Sequence, residues 1–193
     1  GEKLDRINSI VECNDGGYIA VGEFSSSTLD LGNGISLTNE YELDGMMIKF
    51  NGDGEVEWAK TIAGNGADII ESVSLTTDGG YVIGGYSLSK NIDVGNNITL
   101  ANKGLTNGMV VKYNQDGTAQ WAKVVNGTGS NNIKTVSATK DGGCVAGGSF
   151  SSNSIDLGNG TTLNNNGETN AVLIKFNSNG EIEFAKGIGG TAN

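Results

Sequence analysis

The chain reads as all-β: three tandem, four-stranded antiparallel sheets joined end to end. An internal repeat is the first observation behind this. Asp15-Gly16-Gly17, Asp78-Gly79-Gly80 and Asp141-Gly142-Gly143 lie 63 residues apart. The same step carries Trp58-Ala59-Lys60 onto Trp121-Ala122-Lys123 and Phe184-Ala185-Lys186. A fixed period of this size marks one supersecondary unit copied in tandem, each copy burying an apolar face on its neighbour. Second, the apolar segments are short, alternate in character and end at glycine-rich turns, and none sustains helical periodicity. Third, 32 glycines among 193 residues and only 36% apolar content call for many turns. One repeat domain therefore spans 1–193, divided into 1–63, 64–126 and 127–189, with no room for a separate catalytic domain.

The first copy justifies the elements in order. Residues 7–13 form an apolar-rich first strand, closed by Asn14-Asp15-Gly16-Gly17, where glycine supplies positive φ for a tight turn. Residues 18–24 make a second strand. Gly22 recurs within it as Gly85 and Gly148, the mark of a strand that another backbone approaches closely. A long polar stretch, 25–45, precedes a third strand at 46–50. Asn51-Gly52-Asp53-Gly54 then turns the chain into a fourth, 55–62.

Four antiparallel strands in meander order are the blade of a β-propeller. Trp58, Trp121 and Phe184 would fill the space between neighbouring blades, where a large apolar body is needed. The alternatives are a threefold β-prism or a β-trefoil. Propellers use roughly 4–8 blades, so three leave the ring open. The expectation is either a homodimer forming a six-bladed ring head to tail, or a fragment of a longer repeat protein.

The strings DGGYIAVG, DLGNG and IKFNGDGEVEWAK of the first copy resemble the bacterial beta-propeller repeats of the SBBP type, about sixty residues long. The resemblance covers essentially the whole chain and rests on turn and packing motifs. It implies a propeller fold in a bacterial extracellular or cell-surface protein, and it implies no activity.

Composition excludes several function classes. The net charge is −10, with 12 acidic and 4 basic residues in 1–63 alone, so the chain lacks the basic stripe of nucleic-acid binding. No run of apolar residues is long enough for a membrane span. The chain opens on Gly1 without a leader and reads as processed or excised. Cys13 and Cys144 occupy different places in their repeats and read as buried, inert thiols. No histidine is present, which removes Ser-His-Asp, Cys-His and histidine-ligated metal chemistry.

A meander puts its two tight turns on one side, and the long 25–45 loop and the repeat-to-repeat connection on the other. Long loops on a rigid scaffold carry function, so the second side is the candidate ligand face. Its repeated residues are Asp30, Asn33, Asp93, Asn96, Asp156 and Asn159. In each copy the aspartate and the glycines after it form either an Asx turn, anchored by Leu37, Leu100 or Leu163, or an oxygen cage for a hard cation such as calcium. The surplus acids read either as solvated charge that confers solubility or, at Glu40, Glu42 and Asp44 with Asp30 nearby, as one cation-attracting loop. Lys49, Lys112 and Lys175 in the third strand, and Lys60, Lys123 and Lys186 in the fourth, read as edge protection or as partners of acids such as Glu57 and Glu183. The expected function is a non-enzymatic extracellular or cell-surface module for protein or carbohydrate recognition, or structural spacing, without a resident cofactor. One alternative is a glycoside hydrolase with a carboxylate pair drawn from Glu12, Glu23, Glu40 and Glu42. The other is a threefold lectin-like sugar-binding domain.

Overall fold

The computed structural model describes residues 1–39 and 41–190. Among them there is no helix, and every strand pairing is antiparallel apart from one isolated bridge between Thr106 and Ser130. The first copy contains β1 (Asp5–Glu12), β2 (Tyr18–Phe24), β3 (Thr28–Asp30), β4 (Ser36–Thr38), β5 (Asp44–Phe50) and β6 (Val56–Gly64). The second contains β7 (Asp68–Leu75), β8 (Tyr81–Ser87), β9 (Asn91–Asp93), β10 (Thr99–Ala101), β11 (Asn107–Tyr113) and β12 (Ala119–Gly127). The third contains β13 (Asn131–Ala138), β14 (Cys144–Phe150), β15 (Ser154–Asp156), β16 (Thr162–Asn164), β17 (Asn170–Phe176) and β18 (Ile182–Ile188).

In each copy the long strands form a four-stranded meander: β1-β2-β5-β6, β7-β8-β11-β12 and β13-β14-β17-β18. The turns that close these ladders are built from short side chains. Gly16 has φ +80°, and the Asp15 carboxylate accepts the Gly17 N–H at 2.9 Å. At the β5–β6 turn, Asn51 Oδ1 accepts the N–H groups of Asp53 and Glu55 at 3.0 and 2.8 Å, and Gly54 has φ +82°.

The 25–45 stretch, expected as a loop, holds the additional hairpin β3–β4, and β9–β10 and β15–β16 repeat it. The later two add to the sheet of the preceding copy. Ala63 and Gly64 of β6 pair with Asp93 and Ile92 of β9, and Asn126 and Gly127 of β12 pair with Asp156 and Ile155 of β15. The second and third copies thus each lend a hairpin backwards. Gly64 and Gly127, the first residues of the second and third copies, end the last long strand of the sheet before.

Every first strand carries a β-bulge opposite the recurrent glycine, at Ile7/Ser9, Ile70/Ser72 and Ile133/Thr135. A Cβ at Gly22, Gly85 or Gly148 would collide with the carbonyl oxygen of Arg6, Ile69 or Asn132. Glycine is required there because the bulge presses one backbone onto the next.

The sheets stack face on face. Ile19, Val21 and Met47 of the first copy share a core with Ile70, Val73, Met109, Val111 and Tyr113 of the second. Val82 and Val110 of the second share another with Ile133, Val136, Ala146, Val172 and Ile174 of the third. First strands also bond side by side, Val73 N–H to Ser9 Oγ at 3.3 Å and Val136 N–H to Ser72 Oγ at 3.2 Å. Trp58 and Trp121 are half-buried at these junctions, and the Trp121 ring packs 5.8 Å from that of Phe176. Among the described residues no strand of the first copy pairs with one of the third.

Candidate functional site

The candidate face is built by the small hairpins. In each, an aspartate ends the first short strand and accepts the N–H two residues on: Gly32 to Asp30 at 2.9 Å, Gly95 to Asp93 at 2.8 Å, Gly158 to Asp156 at 2.9 Å. The chain then reverses through residues of positive φ, Asn33 (54°) and Gly34 (76°), Asn96 (54°) and Asn97 (58°), Asn159 (51°) and Gly160 (77°). Positive φ at both central positions is the requirement of a type I′ hairpin turn, and Asn-Gly is its favoured filling. The Asx-turn reading of this motif describes the geometry. One carboxylate stands in each hairpin, with Oδ1 engaged by backbone, and among the described residues no three His, Cys, Asp or Glu groups converge. That is a poor fit to calcium, which takes six to eight oxygens.

Docking of the second and third hairpins on the preceding sheets leaves grooves along the seam. The first, about 530 Å³, is lined by Tyr41, Asp44, Thr61, Asn91, Asp93 and Thr99 among others. A second, about 520 Å³, lies one repeat on and is lined by Asn126, Ser154, Asp156 and Thr162. Asp156 also lines a smaller cleft of about 270 Å³ with Asn159, Lys103 and Lys123. Of the six residues singled out from sequence, Asp93, Asp156 and Asn159 therefore face grooves. Asn96 instead donates its amide to the Ala119 carbonyl at 2.9 Å. Asp30 and Asn33 belong to the hairpin β3–β4, whose only strand pairing among the described residues is within itself. The six stand two to a hairpin in three separate hairpins and do not converge on one site.

Of the two readings of the third-strand lysines, edge protection fails, whereas the pairing with Glu57 and Glu183 is present. The lysines lie on β5, β11 and β17, each flanked by strands on both sides, so edge protection does not apply to them. All three are buried. Lys49 reaches Asp15 at 3.1 Å and Glu57 at 3.0 Å, Lys112 reaches Asp78 at 2.5 Å, and Lys175 reaches Asp141 at 2.8 Å and Glu183 at 3.1 Å. Each ammonium ties the Asp-Gly-Gly turn to the middle of its sheet. Burial would lift the Asp78 carboxyl, but hydrogen bonds from Lys112, Thr76 and the Gly80 amide outweigh it and hold the group at about 2.

The acids of the first copy are dispersed. Glu23 is fully buried and bonded by Arg6 and Asn8, with Arg6 Nε at 2.8 Å. Glu12 and Glu42 are exposed, Asp44 is buried at the start of β5, and Glu40 lies outside the described residues. Both cysteines are buried and free, and burial pushes the Cys144 thiol up to about 12.

Two constellations escaped sequence reading. Asn8, Glu71 and Lys134 are the extra residues of the three bulges, and Lys134 reaches Glu71 across the second junction at 2.5 Å. The other is a polar corner repeated in each copy, part-buried for Asp5 with Ser26 and buried for Asp68 with Ser87 and Ser89 and for Asn131 with Ser152. Asp68 is fully buried and also accepts the Gly64 N–H at 2.7 Å. Its burial raises the carboxyl pKa, and those hydrogen bonds oppose the shift. Ser26, Ser89 and Ser152 recur at the repeat step, which was the available signal. No sequence profile of a known family and no curated protein matches the chain.

Proposed function

We propose that the chain is a non-enzymatic recognition module made of β-propeller blades, taking carbohydrate in the grooves between each sheet and the hairpin lent to it. The observation that carries this reading is the recurrence of one groove at both repeat junctions. Thr, Asn and Asp side chains line it with strand backbone in each case, and Tyr41 stands at the first. Hydroxyl, amide and carboxylate groups around a groove of several hundred Å³, with an aromatic face at its rim, suit a polyhydroxylated ligand. Meander sheets stacked in series support the blade assignment, and the resemblance to surface-protein repeats supports an extracellular setting. Two carboxylates, Asp44 and Asp93, line the first groove, but the equivalent groove carries Asp156 alone. Binding tolerates that asymmetry, whereas acid–base hydrolysis needs the pair.

The test is an immobilised oligosaccharide array probed with the whole chain, followed by calorimetry on any hit. About two sites per chain are expected, with binding lost in the double variant Asp93→Asn, Asp156→Asn. Hydrolysis of an arrayed glycan by the wild type, abolished in Asp93→Asn, would replace the binding module with a glycosidase. Absence of binding across the array removes the carbohydrate assignment.

A further inference from the structure

A stack of repeats that ends in solvent normally finishes with polar capping faces. This one does not. Ile7 and Ile10 on β1 are 52% and 60% exposed, while their counterparts Ile70 and Val73 are 0% and 7%, and Ile133 and Val136 are 0% and 5%. At the opposite end Ile188 is 60% exposed against 1% for Ile62 and 2% for Val125. Phe184 is 43% exposed where Trp58 and Trp121 are half-buried.

The two ends are the separated halves of the junction that the chain already forms twice. Inside the stack, the turn at Gly117 covers Trp58, and a Cβ there would stand 2.9 Å from the ring. The turn at Gly180 covers Trp121 in the same way, at 2.7 Å. Gly54, the first copy's equivalent, has nothing within 4 Å, and Phe184 is the aromatic without a turn above it. The strand edges show the same incompleteness. β9 adds to β6 and β15 to β12, but β3 adds to no other sheet, and Gly189 and Gly190 beyond β18 have no strand alongside among the described residues. A polar atom is left over as well. Asn107 Oδ1 accepts the Asn131 amide of the next repeat at 3.0 Å, whereas Oδ1 of its counterpart Asn170 is buried without a hydrogen-bond partner among the described residues.

We infer that this chain binds a second copy of itself head to tail, by the junction it uses internally. β3 of one copy adds to the segment after β18 of the other, with Gly189 opposite Asp30 and Gly190 opposite Leu29. That is the register of Ala63 with Asp93 and Gly64 with Ile92. Phe184 then lies beneath the Gly54 turn, and Ile7, Ile10 and Ile188 leave water. The occupant is a second copy because the surface that fits each end is the other end of the same chain. Such a heterologous contact closes into a ring or runs on as a filament, according to the rotation at each junction. This inference is independent of what the grooves bind.

Sedimentation equilibrium of the whole chain over a range of concentrations should show assembly. Phe184→Glu blocks the tail and Ile10→Glu blocks the head, so each variant alone should be monomeric. Mixed, they should form a one-to-one dimer through the single junction left intact. Both side chains are exposed in the isolated chain, so circular dichroism should show unchanged strand content; if either variant misfolds, Ile188→Glu and Ile7→Glu block the same faces. A wild type monomeric at every concentration overturns the inference. So does a folded variant that still self-associates alone, which indicates a face pairing with its own kind, or a mixture that stays monomeric.

Discussion

The ammonium of Lys112, buried in the middle of its sheet, lies 2.5 Å from the Asp78 carboxylate, which is half-exposed at the β7–β8 turn. The two partners are unequally placed, so their removal is unequal too. Asp78→Ala leaves an ammonium inside the sheet without its counter-charge, at a cost of about 3 kcal/mol. Lys112→Met removes that charge along with its burial and leaves Asp78 to water, so its cost should stay below about 1 kcal/mol. Urea unfolding midpoints check the order, and the reverse order refutes it.

Acid should unfold the chain through these turns. Asp78 falls from its ordinary 3.8 to about 2 in the folded chain, and Asp15 and Asp141 are also lowered. A depressed carboxyl contributes stability above its unfolded pKa and loses it as pH falls through the folded value. The thermal midpoint should therefore drop between about pH 4 and pH 2, and Asp78→Asn should flatten the drop. Asp68 has the opposite sign. Its raised pKa means that ionisation weakens the fold as pH climbs past the ordinary value of 3.8, and Asp68→Asn should remove that component.

Gly180 and Gly54 separate backbone strain from packing. Both have positive φ, +76° and +82°, so alanine strains either turn by about 1 kcal/mol. Only at Gly180 does the added methyl also meet Trp121. Gly180→Ala should destabilise by about 1–3 kcal/mol more than Gly54→Ala, read from chemical denaturation of the monomer.

The second hairpin turn lacks the glycine that the other two carry. Asn97 holds φ +58° where the other copies have Gly34 and Gly160. Asn97→Gly should raise stability by up to about 1 kcal/mol, seen as a higher melting midpoint, because glycine adopts that φ without a Cβ clash.

The long strands and the two tight turns were legible because their signals are local. Asp-Gly-Gly and Asn-Gly-Asp-Gly need only neighbouring residues, and alternation shows which face is apolar. The hairpin β3–β4 carried a readable sign, Asn33-Gly34 between Thr28-Leu29-Asp30 and Ser36-Leu37-Thr38, yet such short strands pass for loop. The pairing of its equivalents β9–β10 and β15–β16 with the preceding sheet left no trace, since two backbone pairs such as Ala63 with Asp93 demand no particular side chain. Lys49 and Lys175 were legible as partners of Glu57 and Glu183, but the burial of all three third-strand lysines was not, for a physical reason. A lysine in a strand usually faces water, and the acids that make burial tolerable, Asp15, Asp78 and Asp141, lie 34 residues away in sequence. Of the candidate face, Asp93 and Asp156 were legible as positions, but the grooves beside them arise only when two copies meet.

The backward-lent hairpins also set an order of events at the ribosome. The first sheet has its own four long strands once Gly64 has been made, but its last edge stays bare until Ala101 emerges and β9–β10 folds down upon it. The first and second sheets thus each wait for roughly half of the next copy before they are sealed, and a nascent chain stalled within that interval exposes an adhesive flank to its neighbours on the polysome.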